Sequence, residues 1–462
     1  MRPSSFMRLT AHAGGRRLPG SLVLLIGLVF ASPARADDSF AALFDAGATL
    51  RVDFLRTGGH DSESVGLDAL IREGPWAGPR TGLVKYGDTG EHRVVMELAG
   101  PNDAEANADA NAEAEVVFAL GFSSLFAEWQ STPEARGGMR RAFHETVRVP
   151  FPRRPVTLRL ESRDGQGDFK TKALIPVDPA GRHIRPPKLT WGSIPSIEVQ
   201  VVAPSDQALD VLIVGDGYTE ADLPKYRRDV ARFARALLES APMRERRDLI
   251  NVRALEVTSN DRGPTEPRKG LWRFTALSTT FDTFGLARYL TTVDNLAMRD
   301  IAGTAPYDTV LIMVNTSRYG GAGVYNLYGI FPSDNEFDEY VLLHEFGHGF
   351  AGLGDEYFSS EVTYEGFYTE GVEPWEPNLT ALLDPDDVKW GDLIADDTPC
   401  PTPPDPERYG GDTVGCFEGA GYQAEGLFRP ALDCKMFGKG QTAFCPVCAR
   451  AIGQLIDHHA GR

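Results

Sequence analysis

Between residues 40 and 177 apolar side chains recur at every second position in short runs. Leu50-Arg51-Val52-Asp53-Phe54, Thr146-Val147-Arg148-Val149 and Val156-Thr157-Leu158-Arg159-Leu160 are examples. A period of two turns one face of each segment toward a core, so these runs read as half-buried strands. Gly, Pro and Asp clusters separate them, and no helical pattern of comparable length competes. The pattern predicts antiparallel strands in a β-sandwich. Residues 102–115 lack any period and are biased to Ala, Asn, Asp and Glu, which suits a flexible surface loop between two strands.

Ile184-Arg185-Pro186-Pro187-Lys188 reads as a linker, because successive prolines remove backbone donors and favour extended chain. A second domain follows, and a fragment starting near Lys188 is expected to keep whatever activity that domain carries. Residues 209–214 are an apolar run entering Gly215-Asp216-Gly217, the pattern of a buried strand running into a loop. Tyr226, Val230, Phe233, Ala234 and Leu237 then recur at helical spacing behind Thr219 and Asp222, either of which can cap the helix. A strand over residues 250–257, a helix over 285–296, a buried strand over 309–314 and a short strand over 324–328 complete a mixed α/β succession.

The N-terminus changes the picture. Residues 1–36 contain Arg2, Arg8, Arg16, Arg17 and Arg35 but no acid, with an apolar run over 22–30 and then Ala34-Arg35-Ala36. This is the layout of a secretory signal peptide cleaved after Ala36, and the run is about half of the roughly 20 residues that a spanning helix needs. No later segment is long and apolar enough to span a membrane. The expected organisation is a signal peptide over 1–36, a β-sandwich accessory domain over 37–187 and a catalytic domain over 188–462. Losing the signal takes the formal charge from −18 to about −23, which argues against nucleic acid as a partner. The product is expected to be exported, periplasmic or extracellular. Its oligomeric state is not readable from the sequence. All five cysteines lie from Cys400 onward. Structural disulfides are the expectation for such a segment in an exported chain, although Cys445-Pro446-Val447-Cys448 alone also suits a zinc or redox motif.

The chemistry is concentrated in His344-Glu345-Phe346-Gly347-His348. Residues four apart on a helix lie one turn above each other, so both imidazoles can reach one metal ion while Glu345 points toward a water. Zn2+ suits nitrogen ligands, and the carboxylate can take a proton from that water and pass it to the leaving amine. A catalytic zinc wants a third protein ligand. Gly352 and Gly354 can end the helix and turn the chain back, which makes Asp355 and Glu356 the candidates. His458 and His459 read as surface residues of a C-terminal helix.

HEFGH with Leu353, Asp355, Glu356 and Tyr357 resembles the IgA peptidase family of zinc metallopeptidases. Val214-Gly215-Asp216-Gly217-Tyr218-Thr219, Arg318-Tyr319-Gly320-Gly321 with Tyr325-Asn326-Leu327-Tyr328, and Trp375-Glu376-Pro377-Asn378-Leu379 are similar to that family's recurring segments. The likeness runs over residues 209–448, and the preceding β-rich part resembles the family's N-terminal module. It implies zinc endopeptidase activity in secreted bacterial proteins, without implying immunoglobulin A as substrate. Cys434-Lys435-Met436-Phe437 resembles the turn that sets a methionine beneath the zinc in metzincin-like enzymes, Met436 being a packing floor. In metzincins the third ligand stands six residues after the second histidine, where this chain has Gly354, so the register differs by one. Reach and this likeness favour Asp355, leaving Glu356 to support the ligands from behind or to serve as the alternative ligand.

The expectation is therefore an α+β two-domain chain, with an N-terminal β-sandwich followed by a mixed α/β zincin, metzincin-like domain. It hydrolyses peptide bonds in a peptide or protein substrate, with Glu345 as base. An extended substrate could add to an edge strand over residues 323–329. Two other readings compete: a surface-binding protein with a structural metal, and a zinc hydrolase of a non-protein amide.

Overall fold

The computed structural model describes residues 34–98, 115–358, 367–440 and 443–462. Residues 1–33 of the segment expected to be a signal peptide and residues 102–114 of the loop expected over 102–115 lie outside these. The N-terminal half opens with helix α1 (Ala34–Leu43) and strands β1 (Phe44–Gly59), β2 (Ser62–Glu73), β3 (His92–Leu98) and β4 (Val116–Phe122). Two short helices, α2 (Leu125–Gln130) and α3 (Pro133–Arg136), precede β5 (Arg141–Pro152), β6 (Val156–Arg163), β7 (Phe169–Val177) and β8 (Ile184–Arg185). They form two four-stranded sheets, ordered β5-β1-β2-β8 and β4-β3-β6-β7. The period of two explains the packing. Leu50, Val52 and Phe54 of β1, Val147 and Val149 of β5, Val94 and Met96 of β3, and Leu158 and Leu160 of β6 share one core.

The second half carries β9 (Ser196–Gln200), β10 (Leu209–Asp216), helix α4 (Leu223–Glu239) and β11 (Ile250–Leu255). Two-residue strands β12 (Thr279–Thr280) and β13 (Thr291–Thr292) follow, then α5 (Asn295–Ala302), β14 (Thr309–Val314), β15 (Ala322–Val324), β16 (Tyr328–Pro332) and α6 (Asp338–Ala351). The six-stranded sheet runs β15-β16-β14-β10-β11-β9, parallel from β16 to β11 and antiparallel at both edges. Every residue of β10 and β14 is buried, as expected for central parallel strands covered on both faces. On one face Tyr226, Val230, Phe233 and Leu237 of α4 and Val341, Leu342 and Phe346 of α6 pack against Val211, Ile213, Leu311 and Met313. On the other, Met298 and Ile301 of α5 cover Leu212, Val214, Val310 and Ile312. Thr219 and Asp222 form a capping box before α4. The remaining elements are α7 (Pro406–Tyr409), the hairpin β17 (Phe417–Ala420) and β18 (Gln423–Arg429), and α8 (Pro446–His459). The layout is α+β in two parts, and among the described residues no helix is long and apolar enough to cross a membrane.

Several expectations are corrected. No helix spans 285–296: the chain makes a turn and a two-residue strand there, and α5 starts only after Asp294, whose carboxylate accepts from Ala297 N at 3.1 Å. The strand expected over 324–328 is two strands, β15 and β16, reversing at Asn326 with φ 56°. Residues 184–185 are no free linker, since β8 pairs with Leu70 and Ile71 of β2. His458 and His459 are half-buried rather than surface residues. His458 packs edge-on to Tyr86, with ring centroids 4.9 Å apart, and His459 Nδ1 sits 3.2 Å from Asp308 Oδ1.

The two halves are joined through the polar face of the first sheet. Arg51, 1% exposed, contacts Asp53 (2.7 Å), Glu73 (3.4 Å) and, across the junction, Asp300 of α5 (2.7 Å). Thr146 links Asp53 to Asn295, and Arg148 donates to Tyr307 O at 2.9 Å. Beside this network Leu125, Phe126, Trp129 and Phe143 enter the same core as α5. Cutting the chain near Lys188 would expose that core, so the fragment is expected to unfold instead of remaining active. Arg51→Ala leaves Asp53 buried without its cation, while Glu73 and Asp300 keep Arg148 and Lys188, and should cost about 3–5 kcal/mol of stability, read as a shifted denaturant midpoint in one transition.

His458 supplies a pH test. Burial, then His459 and Lys85, push its imidazole down to about 4 from the ordinary 6.5. The unfolded chain therefore binds this proton first as pH falls, and stability drops between pH 6.5 and about 4. His458→Gln should flatten that limb in thermal unfolding followed against pH.

Candidate active site

Helix α6 is buried nearly all round, and its first turn is fixed by Arg232 of α4, which forks onto Asp338 at 2.8 and 2.9 Å. It ends at Gly352, whose φ of 60° is the left-handed conformation that lets Gly352 N and Leu353 N bond back to the His348 and Gly347 carbonyls. The reversal has two results. Leu353 O accepts from His348 Nδ1 at 2.5 Å, and Asp355 returns to the imidazoles, its Oδ1 3.1 Å from His344 Nε2 and 3.2 Å from His348 Nε2. The two Nε2 atoms are 3.2 Å apart.

This triangle consists of atoms that can bind a metal. His344 Nδ1 lies 3.1 Å from Lys435 O and His348 Nδ1 faces Leu353 O, so each Nδ1 is a donor and Nε2 is the atom that offers a lone pair when the ring is neutral. Burial opposes charge on His348, but Asp355 and Glu345 outweigh it and raise the imidazole to about 9, so a metal arriving there displaces a proton. Asp355 Oδ1 is buried without a hydrogen-bond partner. Three potential ligand atoms converging at 3.1–3.2 Å are close to one face of a tetrahedron with bonds of about 2.0–2.1 Å, so the residues fit a zinc ion. Tyr422 Oη donates to Asp355 Oδ2, and Tyr340 lies over the His344 ring. Burial opposes charge on Asp355, but the histidines outweigh it and hold the carboxyl well below its ordinary range. Burial raises the Glu345 carboxyl, with the histidines opposing and Asp355 adding to the rise.

The loop that carries Asp355 is gripped from behind. Asn378 accepts from Gly354 N (2.7 Å) and donates to Gly354 O (2.9 Å) and Glu356 Oε1 (3.0 Å). Glu356 N donates to Met436 O at 3.0 Å. Glu356 itself is directed not at the histidines but at Cys434, Cys445 and Cys448. Met436 is fully buried under α6, where a Cβ on Gly347 would lie 2.9 Å from its sulfur.

In front of the triangle is a cleft of about 600 Å³. Its lining includes Glu345, Arg288, Tyr319 and Tyr357 from the second half, and Glu91, Ser123 and Glu128 from the first. Gly321 and strand β15 after it approach α6 so closely that a Cβ on Gly321 would sit 2.6 Å from Glu345 Oε1, and one on Gly323 2.5 Å from His348 Cβ. Its edge is partly met by the chain itself, as Gly321 N donates to Arg288 O at 3.3 Å. Arg288 also hydrogen-bonds Tyr319 and Tyr357.

A family model described as IgA Peptidase M64 matches residues 197–412 and 406–456, and one described as Peptidase M64 N-terminus matches residues 39–173. The chain belongs to the IgA peptidase M64 family. It is thus a peptidase, a hydrolase acting on peptides or proteins. Comparison with curated proteins finds no match. The peptidase match contains the triangle, its glycine reversal and the Asn378 grip, and the N-terminal match contains three residues of the cleft wall.

Sequence reasoning missed Arg288, Tyr422 and the carbonyl of Lys435, and it noted Asn378 without a role. The signal at Asn378 was only its place in Trp375-Glu376-Pro377-Asn378-Leu379, a segment similar to the family's, and its grip on Gly354, 24 residues away, is made by the fold. Asn378→Ala should loosen the Asp355 loop and weaken zinc binding about 10- to 100-fold in titration with a competing chelator.

Proposed function

We propose that the protein is an exported zinc endopeptidase in which His344, His348 and Asp355 hold the metal and Glu345 is the general base. The observation that carries this reading is the triangle of ligand-type atoms from His344, His348 and Asp355 beside a buried glutamate at the floor of a cleft. When bound, zinc acidifies a water and polarises the scissile carbonyl. Glu345 takes the water's proton on its carboxylate and delivers it to the departing amine nitrogen as the C–N bond breaks. Lys435 O and Leu353 O keep each imidazole in the tautomer that presents Nε2, and Tyr422 fixes the rotation of Asp355. Arg288 is the cation that meets the negative charge developing on the carbonyl oxygen. Main-chain groups of residues 322–324 lie along the cleft, where an extended substrate can run.

Met436 supports the helix from beneath, in keeping with a metzincin-like catalytic part over 188–462. Two sheets facing one core support a β-sandwich over 37–187. Export rests on the arginine-rich, apolar start and the Ala34-Arg35-Ala36 segment.

Glu345→Gln should lower cleavage of a diverse peptide library by roughly 10²-fold or more while metal content stays unchanged. His344→Ala, His348→Ala and Asp355→Ala should each lose the metal that cleavage depends on. Near-normal turnover by the glutamine variant would refute the assignment of the base.

A further inference from the structure

Next to the loop that carries Asp355 is a second convergence of ligand-type atoms. Glu356, Cys434, Cys445 and Cys448 are all at most 5% exposed, and one donor atom from each lies within 4.8 Å of the others. Cys434 Sγ and Cys448 Sγ are 3.8 Å apart, and Glu356 Oε1 is 3.1 Å from Cys448 Sγ and 3.9 Å from Cys445 Sγ. The three thiols are unbridged, although Cys400 and Cys416 of the same segment form a disulfide.

The spacing discriminates among the possible states. A disulfide needs about 2.0 Å, whereas 3.8 Å is the sulfur–sulfur edge of a tetrahedron with zinc–sulfur bonds of about 2.3 Å. The surroundings agree. Cys445 is the N-cap of α8 and Cys448 lies in its first turn, where the helix dipole favours thiolates. Cys445 N donates to Cys434 Sγ at 3.3 Å, and Asn378 orients Glu356 Oε1 while Oε2 is buried with no hydrogen-bond partner. Three thiolates and a carboxylate around a divalent ion leave two negative charges. Two buried cations answer them, Arg429 acting on Glu356 and Lys435 on Cys434.

We propose that Glu356, Cys434, Cys445 and Cys448 bind a second metal ion, a structural zinc in a closed four-ligand site. Soft sulfur donors in tetrahedral array select zinc over magnesium or calcium, and four protein ligands leave no position for substrate. Binding releases the protons of the three thiols. The ion ties the residue after Asp355 to the N-terminus of α8 and to the turn whose Lys435 carbonyl accepts from His344. It thereby fixes two groups of the histidine site from behind.

The test is metal analysis of the full chain together with cobalt substitution. Two zinc equivalents are expected in the native protein, falling to one in the His344→Ala/His348→Ala variant. Cobalt in that variant should give a near-ultraviolet thiolate-to-metal charge-transfer band, and Cys445→Ser/Cys448→Ser should abolish it. The native protein loaded with cobalt gives the same reading if a variant does not fold. One equivalent carrying the thiolate band would uphold this site and sink the histidine site. One equivalent with no such band, or a second disulfide in the intact mass under non-reducing denaturation, would overturn the proposal.

Discussion

The chain reversal after α6 is the constraint on which the cleft depends. Two histidines one helical turn apart define a line and not a site, and a third donor has to come from a segment running back toward them. Gly352 makes that return possible, since a side chain in its left-handed conformation would be strained, and the reversal uses otherwise unpaired carbonyls at the end of α6. The same reversal gives His348 Nδ1 its acceptor, Leu353 O, and so makes Nδ1 the donor and turns Nε2 toward the cleft. Return path, ring orientation and donor geometry are thus consequences of one backbone conformation. The Asn378 grip then keeps it from fluctuating.

What the sequence made legible has local causes. The alternation in β1, β5 and β6, the fully buried β10 and β14, the face of α4 and the four-residue histidine spacing are all periods within one element. The α5 boundary was misread because the Asp294 side chain captures the Ala297 backbone N–H and starts the helix beyond an apolar stretch that could itself have been helical. The partners of the site were invisible for another reason. Asn378 and Tyr422 are far along the chain from the residues they hold, and Lys435 contributes a carbonyl that any residue would offer. The cysteine spacing suggested bridging or metal, but only the fold brings Glu356 and Cys434 to the CxxC pair.

The polar face of the first sheet shows how alternation can mislead about solvent. Arg51 and Asp53 occupy the polar phase of β1, yet both are buried, because that face is covered by α5 and not by water. A buried cation among three carboxylates is a poor source of net stability but a strict specifier of orientation, since sliding the sheet on α5 would strand charges. The two halves are consequently locked at one angle, and the wall that Glu91, Ser123 and Glu128 add to the cleft is held at a fixed distance from Glu345.

That rigidity bears on what can be cut. A recess of about 600 Å³ with walls from both halves accepts a short stretch of extended chain and excludes a folded domain. On the proposed endopeptidase reading, a target must therefore offer a hinge, a tail or a segment that frays often enough to enter. Selectivity among proteins then depends on the local opening equilibria of the target as much as on its side chains, so a loop in one conformation can be spared where the same loop, loosened, is severed.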